Sequence, residues 1–258
     1  MQTPETPATQ PAARKGRLLL VPTPLADILT TPLADVLPQA SIHAASMLQH
    51  WIVENAKTAR AFLGAVNLVQ PLRLPLQQHA MAVLPKHARL DAAAAHALLQ
   101  PALNGMNMGL MSEAGAPCVA DPGALVVAAA HELGLEVVPL VGPSSLLLGL
   151  MASGLDGQRF AFHGYLPVEA EARKQQIQQL ERESAQRCQT QLFIETPYRN
   201  AALMQALTET LKPATRLTVA SQLTAPDARV RTRSVAQWRV ELGAEPDRVP
   251  TLFGFLAA

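Results

Sequence analysis

The stretch MSEAGAPCVADPG, residues 111–123, sets three chemically capable groups, Glu113, Cys118 and Asp121, among Gly, Ala and Pro after an apolar run. Those residue types fit a catalytic loop, a redox site, or a backbone surface shaped to hold a ligand. Cys118 has no His or Asp at a motif spacing to activate it, and reads as a small packing residue. Asp121 precedes Pro122 and a helical run, where an N-cap is the ordinary role. Glu113 either orients a ligand or caps a turn. Two other strand ends carry similar punctuation, VPTP at 21–24 and VGPSS at 141–145. Gly and Pro stop a strand, and Gly lets backbone come close to a ligand. Neither GxGxxG nor GxxxxGK[ST] occurs, so the dinucleotide and P-loop fingerprints are missing. Lys57 and Arg60, three apart on a helix, suit either a phosphate contact or a solvated face. Arg229, Arg231 and Arg233 fall on one strand face at period two. They form either an RNA-backbone stripe or a charge-protected edge.

The elements that must position these groups come from a chain of 258 residues, 49% hydrophobic and 16% charged. That composition excludes a disordered chain and suits one large domain or two small ones. With a net charge of +1, an RNA partner needs a local basic patch rather than bulk charge. Two distant cysteines and seven scattered histidines give no metal-ligand spacing, so no metal is expected. Free thiols fit a cytoplasmic protein. The opening MQTPETPATQPAARKG lacks an apolar h-region and reads as a disordered tail over 1–15. Apolar runs break before the ~20 residues that a bilayer span needs, so no membrane partner is expected.

From residue 16 to 166 strands and helices alternate. RLLLV (17–21), WIV (51–53), MNMGLMS (106–112), LEVVPLVG (135–142) and RFAFHGYL (159–166) read as strands. Helices are expected at 56–63, at 89–103 ending with Pro101, and at 124–134 with Gly134 as C-cap. Thr31-Pro32 reads as a helix cap. SSLLLGLMASGL, capped by Ser144 or Ser145, is apolar enough to require burial on all sides. Such alternation predicts a buried, mostly parallel sheet. After Pro167 come a polar amphipathic helix (168–189), a strand (190–197), a helix (200–211), and strands at 216–224, 228–235 and 251–257. Two strands in succession predict a mixed sheet in a second α/β domain. The expected division is 16–166 and 167–258, and no internal repeat is seen.

Taken in order, SEAGAPCVADPG, VVPLVGPSSLLLGLMASGL, RFAFHGYLP and LFIETPYR resemble the tetrapyrrole-methylase superfamily of S-adenosylmethionine-dependent methyltransferases. Within it they are most similar to the 16S rRNA ribose 2′-O-methyltransferases that act on a cytidine. LVPTPLADILTTPLADVL and VENAKTARAFL resemble that family's opening and its EDTR segment. The resemblance implies two α/β domains with a cofactor cleft between them, usually in a homodimer. It implies that S-adenosylmethionine is held at Pro24, at Ser112, Glu113, Ala114, Gly115, Ala116 and Pro117, and at Gly142, Pro143 and Ser144. Second-domain contacts are implied at Glu195, Thr196, Leu223 and Thr224. Glu54, which ends an apolar strand and matches the family's acid, is the candidate catalytic group. The acceptor implied is RNA; a small tetrapyrrole-like molecule, or a silent paralogue that binds cofactor or RNA, are the alternatives. Departures fall on polar groups. EDTR becomes Glu54-Asn55-Ala56-Lys57, ELTK becomes Gln222-Leu223-Thr224-Ala225, the GN after TPI becomes Ala26-Asp27, and an HxHNE-like segment becomes Gln78-His79-Ala80-Met81. They predict weaker or altered acceptor use.

Overall fold

The computed structural model describes residues 14–28, 30–85, 91–241 and 248–258. The chain forms two compact units: residues up to Pro22 with Pro38–Val141, and Thr23–Leu37 with Gly142–Ala258. The first unit is built on five short strands: β1 (Arg17–Leu20), β2 (His50–Val53), β3 (Ala80–Val83), β4 (Met108–Met111) and β5 (Glu136–Pro139). All pair in parallel, in the order β3-β2-β4-β1-β5. The central strands are unbroken apolar runs because helices cover both faces. Every residue of β4 is buried.

The helices of the chain, in order, are α1 (Leu33–Val36), α2 (Gln39–Met47), α3 (Ala56–Val69), α4 (Ala92–Leu98), α5 (Gln100–Leu103) and α6 (Ala124–Glu132). They continue with α7 (Ser145–Ser153), α8 (Ala170–Arg187), α9 (Asn200–Thr210) and α10 (Val235–Val240). Helix α3 buries Ala59, Phe62, Leu63 and Val66, one stripe at helical spacing. The first core joins Leu18, Ile52, Leu99, Leu110, Val126 and Ala130. Past α6, Gly134 takes φ 64°, and the Leu135 amide reaches back to the Ala130 carbonyl at 2.8 Å. That is the left-handed exit expected of a glycine C-terminal to a helix.

The second unit carries β6 (Phe160–Tyr165), β7 (Thr190–Glu195), β8 (Arg216–Ser221), β9 (Arg229–Ser234) and β10 (Thr251–Leu256), in the order β6-β7-β10-β8-β9. Only β6 and β7 are parallel; the other pairs are antiparallel. One core gathers Ile177, Leu180, Phe193, Leu207, Trp238 and Phe253. The Phe193 and Phe253 rings stack 6.0 Å apart.

Several expectations change. The division falls at Gly142 rather than Pro167, because β6 hydrogen-bonds to β7 and α7 packs on the second sheet. Lys15, read as tail, donates from Nζ to the Leu133 carbonyl at 2.6 Å; residues 1–13 of that tail lie outside the described residues. Pro101 does not end a helix. It starts α5 after a break at Leu99, where a missing amide proton costs nothing. The first part of that expected helix, 89–90, lies outside the described residues. Pro32, not Thr31, is the N-cap of α1, and no side chain bonds there. Helix α7 is buried on one side only: Leu147 and Met151 are 55% and 79% exposed. The apolar composition of α7 hid that asymmetry. Among the described residues no helix is long and apolar enough to cross a membrane.

Candidate active site

Strands β2 and β4 run side by side with Val53 opposite Met111. Glu54 and Ser112 therefore leave the sheet together at its carboxyl edge, where open parallel sheets bind ligands. The Glu113 amide donates to Glu54 Oε1 at 3.2 Å. Asn55 Nδ2 donates to Glu113 Oε1 at 2.9 Å. Asn55 Oδ1 accepts the Lys57 amide at 2.9 Å, capping α3. Residues 58 apart in sequence are thus joined by the adjacency of two strands.

The loop that follows β4 turns through four positive φ angles: Gly115 at 77°, Cys118 at 68°, Ala120 at 66° and Gly123 at 132°. Two of the four are not glycine, an unusual local conformation that surrounding contacts must hold. At Gly123 a Cβ would lie 2.8 Å from Cys118 Sγ and 3.1 Å from Leu110 Cδ2. The loop is folded down onto β4, and Cys118 is a packing residue as expected. Burial, then the carboxylates of Asp121 and Glu54, push its thiol from 9.0 to about 11. A thiol held protonated in this way is a poor nucleophile at neutral pH. Burial also raises Asp121; a hydrogen bond with Ser112 opposes that, and the Glu113 charge adds to it. Asp121 is not the N-cap of α6. That position is Gly123, with no side-chain cap bond, and Asp121 interacts with Ser112 instead. Among the described residues, no group of three His, Cys, Asp or Glu side chains is arranged to hold a metal.

The other sequence-derived cofactor residues lie in the second unit. Pro24 is buried. Gly142, Pro143 and Ser144 lead into α7, whose N-cap position is Ser144, without a hydroxyl cap bond. Leu146 of α7 packs against Ala220 and Leu252, with Leu223 at the margin. The α7 entrance and the β8 exit are thus neighbours. Thr224 takes φ 73°, and its buried Oγ1 has no hydrogen-bond partner. Glu195 is a buried lock: Thr196 donates its amide to Oε1 at 2.7 Å, and Arg199 pairs at 3.0 Å. Arg199 also donates to the Leu166 carbonyl at 3.3 Å. The i,i+4 spacing of Glu195 and Arg199 was the available signal for that pair.

The arginine stripe is real as geometry and different as chemistry. Arg231 and Arg233 both pair with Glu241, Arg233 at 3.2 Å. Arg231 also lies 5.1 Å over the Trp238 ring. Edge strand β9 therefore presents two arginines that share one carboxylate and keep a net positive charge, and Arg229 is exposed. Lys57 and Arg60 are exposed on α3. His79 and His163 are held by neighbours. His79 Nδ1 accepts the Trp51 indole N–H at 3.1 Å, and His163 bonds Gln191 at 2.6 Å.

Comparison with known proteins agrees with this architecture. The family model for Tetrapyrrole (Corrin/Porphyrin) Methylases matches residues 31–238. A Ribosomal RNA small subunit methyltransferase I from Xylella fastidiosa is 31% identical over 192 residues, covering 74% of this chain and 63% of that protein. The chain thus spans less than two thirds of that curated relative. Among solved structures, the methyltransferase CobJ superposes with TM-score 0.59 at 16% identity, over 94% of this chain and 95% of that one. Uroporphyrin-III C-methyl transferase from Thermus thermophilus, complexed with S-adenyl homocysteine, superposes with TM-score 0.53 at 14% identity, over 93% and 97%. At those identities the structures speak for the fold.

Proposed function

The chain belongs to the tetrapyrrole (corrin/porphyrin) methylases, and from that premise we propose that it is an S-adenosylmethionine-dependent methyltransferase acting on a ribose 2′-hydroxyl of small-subunit ribosomal RNA. The name of its Xylella relative supports small-subunit ribosomal RNA as the acceptor; the ribose 2′-hydroxyl follows from the resemblance of the sequence motifs. The observation that carries the site is the folded loop Ser112–Gly123, pinned to Glu54 and Asn55 at the carboxyl edge of the parallel sheet. Gly115, at φ 77°, brings no side chain of its own to a turn where backbone would meet the ligand. The unpartnered buried Thr224 hydroxyl fits a polar ligand group. In the first unit, backbone of Ser112–Pro117 would contact the cofactor; in the second, Pro24, Gly142–Ser144, Leu223 and Thr224 are the candidates for that role.

The bound cofactor supplies an activated methyl on a sulfonium, whose neutral thioether needs no acid to leave. Holding the acceptor oxygen in line with that methyl, away from water, is the main task of the protein. The hydroxyl proton goes to Glu54, whose carboxylate is oriented by the Glu113 amide. Lys57 and Arg60 serve as phosphate contacts. In the second unit Arg229, Arg231 and Arg233 of β9 are the candidate RNA-backbone stripe, with Arg231 and Arg233 sharing Glu241. We assign the protein to the cytoplasm, consistent with its free cysteines. It acts as a homodimer, for which exposed Leu147 and Met151 supply apolar surface.

Calorimetric titration with S-adenosylmethionine and S-adenosylhomocysteine tests the cofactor directly. Saturable binding of both in the micromolar range is expected. No heat from either at millimolar concentration would contradict the reading.

A further inference from the structure

We propose that Asn55 is a positioning residue: its carboxamide bridges the first turn of α3 and the Glu113 carboxylate, fixing the Ser112–Gly123 loop, and this position requires an amide rather than an acid. The inference rests on the proposed role of that loop as a ligand wall. Read from sequence alone, Asn55 is a lost acid. In the fold its two polar atoms work in opposite senses. Oδ1 accepts from the Lys57 amide, and Nδ2 donates to Glu113 Oε1. The Glu113 amide in turn donates to Glu54 Oε1. The end of β2 and the loop after β4 are therefore clasped at two points.

A carboxylate cannot replace this amide, because it accepts and never donates. Asp at position 55 would still cap α3, since Asp and Asn cap about equally well. Its second oxygen would then face the Glu113 carboxylate where a hydrogen bond stood. Glu113 already raises Asp121 by its charge, and Glu54 acts the same way on Cys118. A fourth carboxylate in this neighbourhood would push the loop off its seat. Restoring the acid of the resembled family thus weakens the site instead of repairing it.

The test compares Asn55→Asp with the paired exchange Asn55→Asp/Glu113→Gln, in which the new carboxylate accepts from the new amide. Two quantities are read on the full chain: deuterium exchange of peptides covering 112–123, and calorimetric affinity for S-adenosylmethionine. Asn55→Asp is expected to keep its far-UV spectrum, to exchange faster in the loop, and to bind about tenfold more weakly, the scale of one charge-assisted hydrogen bond. The paired exchange recovers slow exchange and most of the affinity. Asn55→Ser keeps a cap and removes the bridge without adding charge, so it falls between and guards against misfolding of the acid variant. Unchanged loop exchange in both Asn55→Asp and Asn55→Ser, or no recovery in the pair, overturns the proposal. If the wild-type chain binds no cofactor while the exchange pattern follows these expectations, the clasp stands and the cofactor reading falls.

Discussion

Cys118 and Cys188 differ in surroundings, and their reactivity should differ accordingly. The thiolate is the reacting form, and Cys118 loses its proton only near pH 11. At pH 8 a disulfide reagent should titrate one fast thiol per native chain, exposed Cys188, and two after denaturation. Two fast thiols in the native chain would contradict the buried loop. The same shift has a sign for stability. The unfolded thiol ionises near 9.0 and the folded one near 11, so the unfolded state is favoured progressively as pH rises from about 9 to 11 and is not favoured below. Asp121 is raised above 3.8, so its ionisation also favours the unfolded chain. That cost is present at neutral pH and vanishes below 3.8. Asp121→Asn should raise the melting temperature slightly at about pH 7 and leave it unchanged at about pH 3. The types of these residues were legible in the loop itself. Their partners were not: Asn55 and Glu113 meet only because β2 and β4 are neighbours, and Ser112 drew Asp121 away from a cap that local spacing favoured.

At the scale of elements, glycine positions separate packing from propensity. A Cβ on Gly109 of β4 would stand 2.4 Å from the Trp51 ring and 3.0 Å from Leu48. That ring is tethered by His79 and cannot turn aside. Gly109→Ala should therefore cost about 3 kcal/mol or more in urea unfolding; a loss below about 1 kcal/mol would mean the indole has room. A Cβ on Gly64 of α3 would meet nothing within 4 Å, so Gly64→Ala should stabilise by up to about 1 kcal/mol through helix propensity alone. The apolar runs and turn residues located most strands and the long helices. What escaped was short or disguised. Strand β3 is AMAV, too brief and too rich in Ala for alternation to register. Helix α2 begins at Pro38 without a side-chain cap. Helix α10 went unread beyond the end of the strand expected at 228–235, although Ser234 and Gln237 form a capping box that the spacing S-x-x-Q announces.

At the scale of the molecule, two α/β units with a parallel and a mixed sheet could be read from the order of elements. The border could not, because β6 continues the β-α alternation of the first unit while pairing with β7 of the second. No local feature marks that choice of partner. Self-association is expected to use α7: light scattering should give twice 27.6 kDa for the wild type. Leu147→Lys combined with Met151→Lys should give the single-chain mass with the native far-UV spectrum kept, since both side chains are exposed within the single chain. A wild-type mass of 27.6 kDa at micromolar concentration would remove the dimer. The central claim, methyl transfer to ribosomal RNA, is tested most directly by incubating the protein with small ribosomal subunits lacking the modification and methyl-labelled S-adenosylmethionine. The RNA is then digested to nucleosides and the label located by mass spectrometry. Label in 2′-O-methylcytidine, lost in Glu54→Gln, is the predicted result. Unlabelled RNA from a protein that binds the cofactor, or label on a base instead of a ribose, would contradict it.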